Sequence, residues 1–207
     1  MTELKRILSV LGICLALSSC GSLYGNHEED LPRYREPRYT TEKPIELKSS
    51  KIDIVSEYTP TFERPNVEHL FPVSIEKTAK LWAQDRLKAA DYSSKMLTEV
   101  LIKDASVIET EEKSEQLFEK DKVKYSAHLV VTVRVTNPET FAQASTEVEA
   151  WRTLTIPADT DIVSKETYWD KMVENLFNDF NAKMTENIYK YLSPYIVNQE
   201  ITPTYYE

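Results

Sequence analysis

After Gly25 the chain of 207 residues contains no glycine, and after Cys20 it contains no cysteine. Phosphate-cradling loops, dinucleotide fingerprints and the Gly-x-Ser-x-Gly elbow need glycine, because their tight turns and close backbone approaches leave no room for a Cβ. Those enzyme classes are excluded from the folded part. With no thiol beyond position 20, disulfides, thiolate nucleophiles and cysteine metal sites go with them. Histidine is nearly as scarce. His27, His69 and His128 lie far apart and form no HExxH spacing, so no metal or cofactor is expected. Basic residues are outnumbered, 25 against 34 acids, for a formal charge of −9. Such a surface repels phosphate backbones, which excludes nucleic acid as a partner.

Acids are too abundant for any pair to be singled out as catalytic. Glu68 beside His69 is a candidate acid–base pair, but sequence neighbours point apart and a structural hydrogen bond is the simpler reading. The expectation is a protein that is not an enzyme.

What is present begins with an address. Lys5 and Arg6 precede an apolar run from Ile7 to Leu17, followed by Ser18, Ser19 and Cys20. The run is 11 residues, well short of the ~20 that span a bilayer as a helix. A charged start, an apolar stretch and small residues make a secretory signal peptide. A branched aliphatic, two small residues and cysteine match a bacterial lipobox, so residues 1–19 are expected to be removed and Cys20 acylated, with palmitate or a similar chain. Removing Glu3, Lys5 and Arg6 with that peptide leaves 188 residues and a formal charge of about −10. Gly21, not Asp, follows the cysteine. By similarity to Gram-negative lipoproteins this predicts the periplasmic face of the outer membrane, with the inner membrane as the alternative.

Residues 20–50 are polar, contain Pro32, Pro37 and Pro44 and show no period, so they read as a flexible linker. Arg33, Arg35 and Arg38 interleave with Tyr34 and Tyr39, a pattern able to meet a polyanion or, more simply, to neutralise local acids. Residues 195–207 read as a loose tail. Between them, residues 51–194 form one α+β domain. Alternation predicts strands over Lys51–Tyr58, Met96–Glu109, Val123–Val135 and Phe141–Ile156, with a phase change around Lys103 and Asp104 that suggests a bulge. Asn137 to Thr140 is a turn joining the last two strands. Spacings of three and four predict one helix capped by Ser74 and running to Ala90, and another from Ser164 to Leu192. The order βαβββα favours an antiparallel four-stranded sheet with both helices packed on one face.

Thr59–Pro72 is an unusually apolar loop stiffened by Pro60, Pro65 and Pro72, so Phe62, Val67, His69, Leu70 and Phe71 are candidate partner-binding residues. Trp151 joins them if the second sheet face is open. Arg152 shares the phase of buried residues, which implies an ion pair with an acid of the last helix or a site for an anionic ligand.

Pro65-Asn66-Val67-Glu68-His69-Leu70-Phe71-Pro72-Val73-Ser74, followed by Trp82-Ala83-Gln84-Asp85-Arg86-Leu87, resembles a signature of uncharacterised alpha-proteobacterial lipoproteins. The likeness is strongest over residues 51–110 and brings no activity with it. The layout of lipobox, linker and two helices on a sheet is also similar to the lipopolysaccharide-assembly lipoprotein and to auxiliary lipoproteins of lipid-transporting ABC systems. These expectations converge on a lipid-anchored accessory that docks on another envelope protein. The alternative is a periplasmic lipid- or small-molecule-binding module with a cavity between helices and sheet.

Overall fold

A computed structural model describes residues 34–114 and 120–197. Cys20, His27, the expected linker as far as Arg33 and the tail from Asn198 lie outside them. In chain order the described elements are β1 (Ile45–Leu47), β2 (Lys51–Ser56), α1 (Ile75–Arg86), β3 (Leu87–Ala89), β4 (Leu97–Glu112), β5 (Lys122–Thr136), β6 (Gln143–Pro157) and α2 (Ile162–Tyr191). Four strands form one sheet in the order β2-β4-β5-β6, and β1 pairs with β3 in a second.

The expected all-antiparallel sheet is corrected to a mixed one, because β2 runs parallel to β4. The reason is the connection. A strand, a helix and a strand laid side by side return the chain to the end where it began, so the two strands must point the same way. The order βαβββα is likewise incomplete. The first helix ends at Arg86, not Ala90, and Leu87–Ala89 is extended and pairs in parallel with Ile45–Leu47. Three residues are too few to display a period, which is why neither short strand is visible in the sequence pattern.

The long hairpin follows its alternation closely, with β5 and β6 in register from Lys122↔Pro157 to Thr136↔Gln143. Asn137 closes the turn, its Oδ1 accepting from the amides of Glu139 at 2.9 Å and Thr140 at 3.3 Å. Phe141 belongs to that turn, with φ 59°, and β6 starts at Gln143. The phase change in β4 is a bulge, the pairing stepping from Ile102↔Val131 to Asp104↔Val130. Ser74 caps α1 through the Lys77 amide, and Asp161 caps α2 through that of Ser164.

Both helices pack on one sheet face. Val100, Ile102, Ala105 and Val107 of β4, with Tyr125, Ala127, Leu129, Val131 and Val133 of β5, meet Trp169, Val173, Leu176, Phe177 and Phe180 of α2 and Ala79 and Trp82 of α1 in one buried cluster. Trp82 stands edge-on to Phe180 with centroids 4.9 Å apart. The space between helices and sheet, where the alternative reading puts a ligand cavity, is occupied by these side chains.

Residues 34–50 are built into the domain. Tyr39, Ile45 and Leu47 are buried. Arg38 makes a two-pronged bond to Asp85 at 2.6 and 2.7 Å, so its charge is spent within the domain. Buried Arg86 ties three segments together, bonding the Lys43 carbonyl, Asn181 Oδ1 at 3.2 Å and Thr185 Oγ1 at 3.2 Å. At the other end, Ile196 is buried and bridges Leu47, while the Val197 amide donates to the Glu46 carbonyl at 2.8 Å.

Candidate functional site

β2 stops where β4 bulges, and the proline-rich loop takes its place along the rest of that edge. The Val67 amide donates to the Val107 carbonyl at 2.9 Å, and the Glu109 amide to the Pro65 carbonyl at 2.8 Å. Arg64 pairs with Glu109, and Asn66 bridges Ile108. Glu68–Leu70 forms a single 3₁₀ turn. The loop is therefore held by backbone bonds as well as by its prolines. Arg64-Pro65 is a cis bond, and Phe62 has φ 58°, a conformation that costs a non-glycine residue on the order of 1 kcal/mol.

The pinning separates the five loop candidates. Val67 and Phe71 are buried in the core. Phe71 stacks on Trp169 at 4.8 Å and meets Tyr125 edge-on, an aromatic trio that anchors the end of the loop. Phe62 and Leu70 are exposed at 66% and 45%, and His69 is exposed with its ring 5.5 Å from that of Phe62. An apolar crest thus stands on a buried root. Glu68 and His69 act separately, since Glu68 Oε2 accepts from the Val107 amide at 3.4 Å.

Beneath the crest lies an open cleft of about 170 Å³ whose lining includes Tyr58, Phe62, Glu68, His69, Phe71 and Glu76. Tyr58 Oη and Glu68 Oε1 are both shielded from solvent, and neither has a hydrogen-bond partner of good geometry. Burial, then the neighbouring Glu68 carboxylate, push the Tyr58 phenol far above its ordinary range. Glu76 is committed elsewhere, to Lys80 at 2.6 Å. No period or motif marks this cleft, because its polar groups come from a strand end, a loop and a helix start.

The sheet face opposite the helices carries a second constellation. His128 faces Ser106 and Trp151 across the ladder and reaches diagonally to two acids. Its Nδ1 lies 2.8 Å from Asp104 Oδ2 and its Nε2 2.7 Å from Glu149 Oε1. Burial alone would push the imidazole pKa down, but the bonds to Asp104 and Glu149 outweigh it and leave the value above the ordinary histidine range. Beside it Glu147 joins Lys103 at 2.6 Å and Thr132 at 2.7 Å, which hold its carboxyl below the usual range. Trp151 is 68% exposed on this face. The bulge turns Asp104 toward His128, so the sequence held one half of this clamp as a broken period. Arg152 points the other way, to Asp179 and the Asn175 carbonyl of α2. It makes the ion pair with the last helix and sits on the helix side.

Among the described residues no group of three or more His, Cys, Asp or Glu is arranged to hold a metal ion. Among them also, no helix is long and apolar enough to cross a membrane.

No protein-family model matches the sequence, and no curated protein matches it. Solved structures similar to the chain include a minor lipoprotein from Acinetobacter baumannii, 9% identical, with a TM-score of 0.40 over 73% of this chain and 98% of that one. A DUF330 protein from Xanthomonas campestris is 9% identical, with a TM-score of 0.32 over 72% and 90%. Rare lipoprotein B from Shewanella oneidensis is 10% identical, with a TM-score of 0.27 over 66% and 97%.

Proposed function

We propose that the protein is a lipid-anchored, non-catalytic accessory of the bacterial cell envelope that docks on another envelope protein through the crest of its proline loop. Cys20 is the anchor, on the lipobox reading, and Gly21 favours the outer membrane over the inner. The observation that carries the docking reading is Phe62 and Leu70 exposed at 66% and 45% on a segment whose backbone is bonded to β4. Exposed apolar side chains on a rigid support lose little entropy on binding, which is what interface anchors require. Trp151 on the open sheet face is the second contact.

The test is photocrosslinking in intact cells from a photoreactive residue at position 62 or 70. The expected outcome is a discrete protein adduct at both positions and none from position 183, exposed on α2 away from the loop. No adduct at either crest position would remove the loop as a docking surface.

A further inference from the structure

We propose that the outer edge of β6 takes up an extended segment of another protein as a further strand, one that alternates basic with β-branched residues. The edge is defined by the backbone. The Asn137 amide donates to the Ala142 carbonyl at 2.8 Å, and the Ala158 amide to the Asp121 carbonyl at 2.8 Å. These are hydrogen-bonded pairs at the two ends of the β5 and β6 ladder, and such pairs recur at every second residue of an antiparallel ladder. Even-numbered residues of β6 therefore give their amides and carbonyls to β5, and odd-numbered ones point theirs outward. The Glu147 carbonyl fits this parity, since Asn187 Nδ2 of α2 reaches it at 3.4 Å. β6 stands last in the sheet, so among the described residues no strand pairs with that side. Among them too, the amides and carbonyls of residues 149, 151, 153 and 155 have no partner. Sheets blunt such an edge with a short strand, lysine, proline or a bulge. β6 is 15 residues long, in unbroken register with β5 and free of lysine, with Pro157 only at its end.

Charge and register select the occupant. A second copy that used the whole free stretch would centre on residue 152 and set Arg152 opposite its own counterpart, and like charges directly opposite destabilise a sheet. A foreign strand avoids that pair. On the open sheet face it meets exposed Glu149, which favours lysine or arginine; on the helix face it meets half-buried Ala150 and Leu154, which favour β-branched side chains.

The proposal stands apart from the docking reading, since it concerns the backbone edge of β6 and not the crest of the loop. The test is titration of the full chain, in an uncharged detergent, with the blocked peptide Lys-Val-Lys-Val-Lys-Val-Lys and with its counterpart in which glutamate replaces each lysine, followed by NMR and amide hydrogen exchange. A short strand that is ordered only on binding is expected to have a Kd on the order of 1 mM. At about ten times that concentration the basic peptide should slow exchange at amides 151, 153 and 155 about tenfold. Amides 150, 152 and 154, already bonded to β5, should be unchanged, and the acidic peptide should bind at least about tenfold more weakly. Thr153→Pro removes an outward amide and leaves the bonds to β5 in place, so it should abolish binding while amides 150 and 154 keep their protection. Glu149→Gln, which leaves the backbone as it is, should weaken the basic peptide severalfold. Equal binding of the acidic peptide, no saturation by the basic one, or unchanged affinity in either variant would each overturn the proposal. So would slow exchange of amides 151 and 153 in the protein alone, because a second copy or another part of the same chain would then hold the edge.

Discussion

His128 shows how much a single side chain can depend on the strands beside it. Asp104 and Glu149 are the acids that meet its ring, and Lys103 and Glu147 lie next along the same face. The bonds to the two acids raise the imidazole pKa above its ordinary value of 6.5. Below about pH 6.5 the imidazole is charged in both folded and unfolded chains, and the stabilisation from the clamp is fully present. As pH rises the unfolded chain loses its proton first, and the stabilisation drains away through the higher folded pKa. The wild type should therefore lose stability relative to His128→Gln as pH rises from about 6.5 through the raised pKa of the folded state. Urea unfolding of both proteins across that range measures the difference, and proton NMR of the ring gives the midpoint directly. A midpoint at or below 6.5 would show that burial and not the carboxylates governs this group. The residue was legible as the polar phase of an alternating strand. Its partners were not, because they are fixed by a bulge and by hairpin register, and neither has a signature in the residues around His128.

At the scale of elements, the longest periodic segments were the legible ones. β5, β6 and α2 repeat their pattern for many residues, and the structure places them within a few positions of the expected bounds. Short elements were lost. β1 lies in a stretch flanked by Pro44 and by serines, and its three residues are held by β3 and by the chain around Ile196, which are distant in sequence. Residues 34–50 form a strap that consequently carries more of the stability than its composition implies. Leu47 is fully buried, and truncating such a leucine costs about 2–5 kcal/mol, a large share of the ~5–15 kcal/mol that holds a domain together. Leu47→Ala is expected to lower the urea midpoint accordingly. Lys43→Ala, at an exposed side chain whose backbone carbonyl still receives Arg86, should stay within about 0.5 kcal/mol of wild type. A loss below about 1 kcal/mol for Leu47→Ala would make the strap peripheral to the fold. The site was divided in the same way. Prolines and aromatics announced the loop, but which of its apolar residues face inward is decided by backbone bonds to β4, so Val67 and Phe71 could not be told from Phe62 and Leu70.

For the whole molecule the proposed reading raises the question of what would hold an acidic chain at a membrane. Electrostatics oppose it, since a formal charge of −9 faces head groups of the same sign, and no described helix can span the bilayer. On the proposed reading acyl chains on Cys20 supply the attachment, at about 0.8 kcal/mol for each buried methylene. Hydrophobic anchoring and charge attachment respond to salt in opposite ways. About 1 M salt shortens the screening length to about 3 Å and releases proteins held by surface charge, whereas burial of hydrocarbon is unaffected or strengthened. Membranes carrying the wild-type protein should therefore retain it through a high-salt wash and lose it to detergent. Cys20→Ala should incorporate no labelled palmitate. Release of the wild type by salt would mean that a charged surface contact, and not the cysteine, holds the chain in place. Palmitate on Cys20→Ala would move the anchor to another residue.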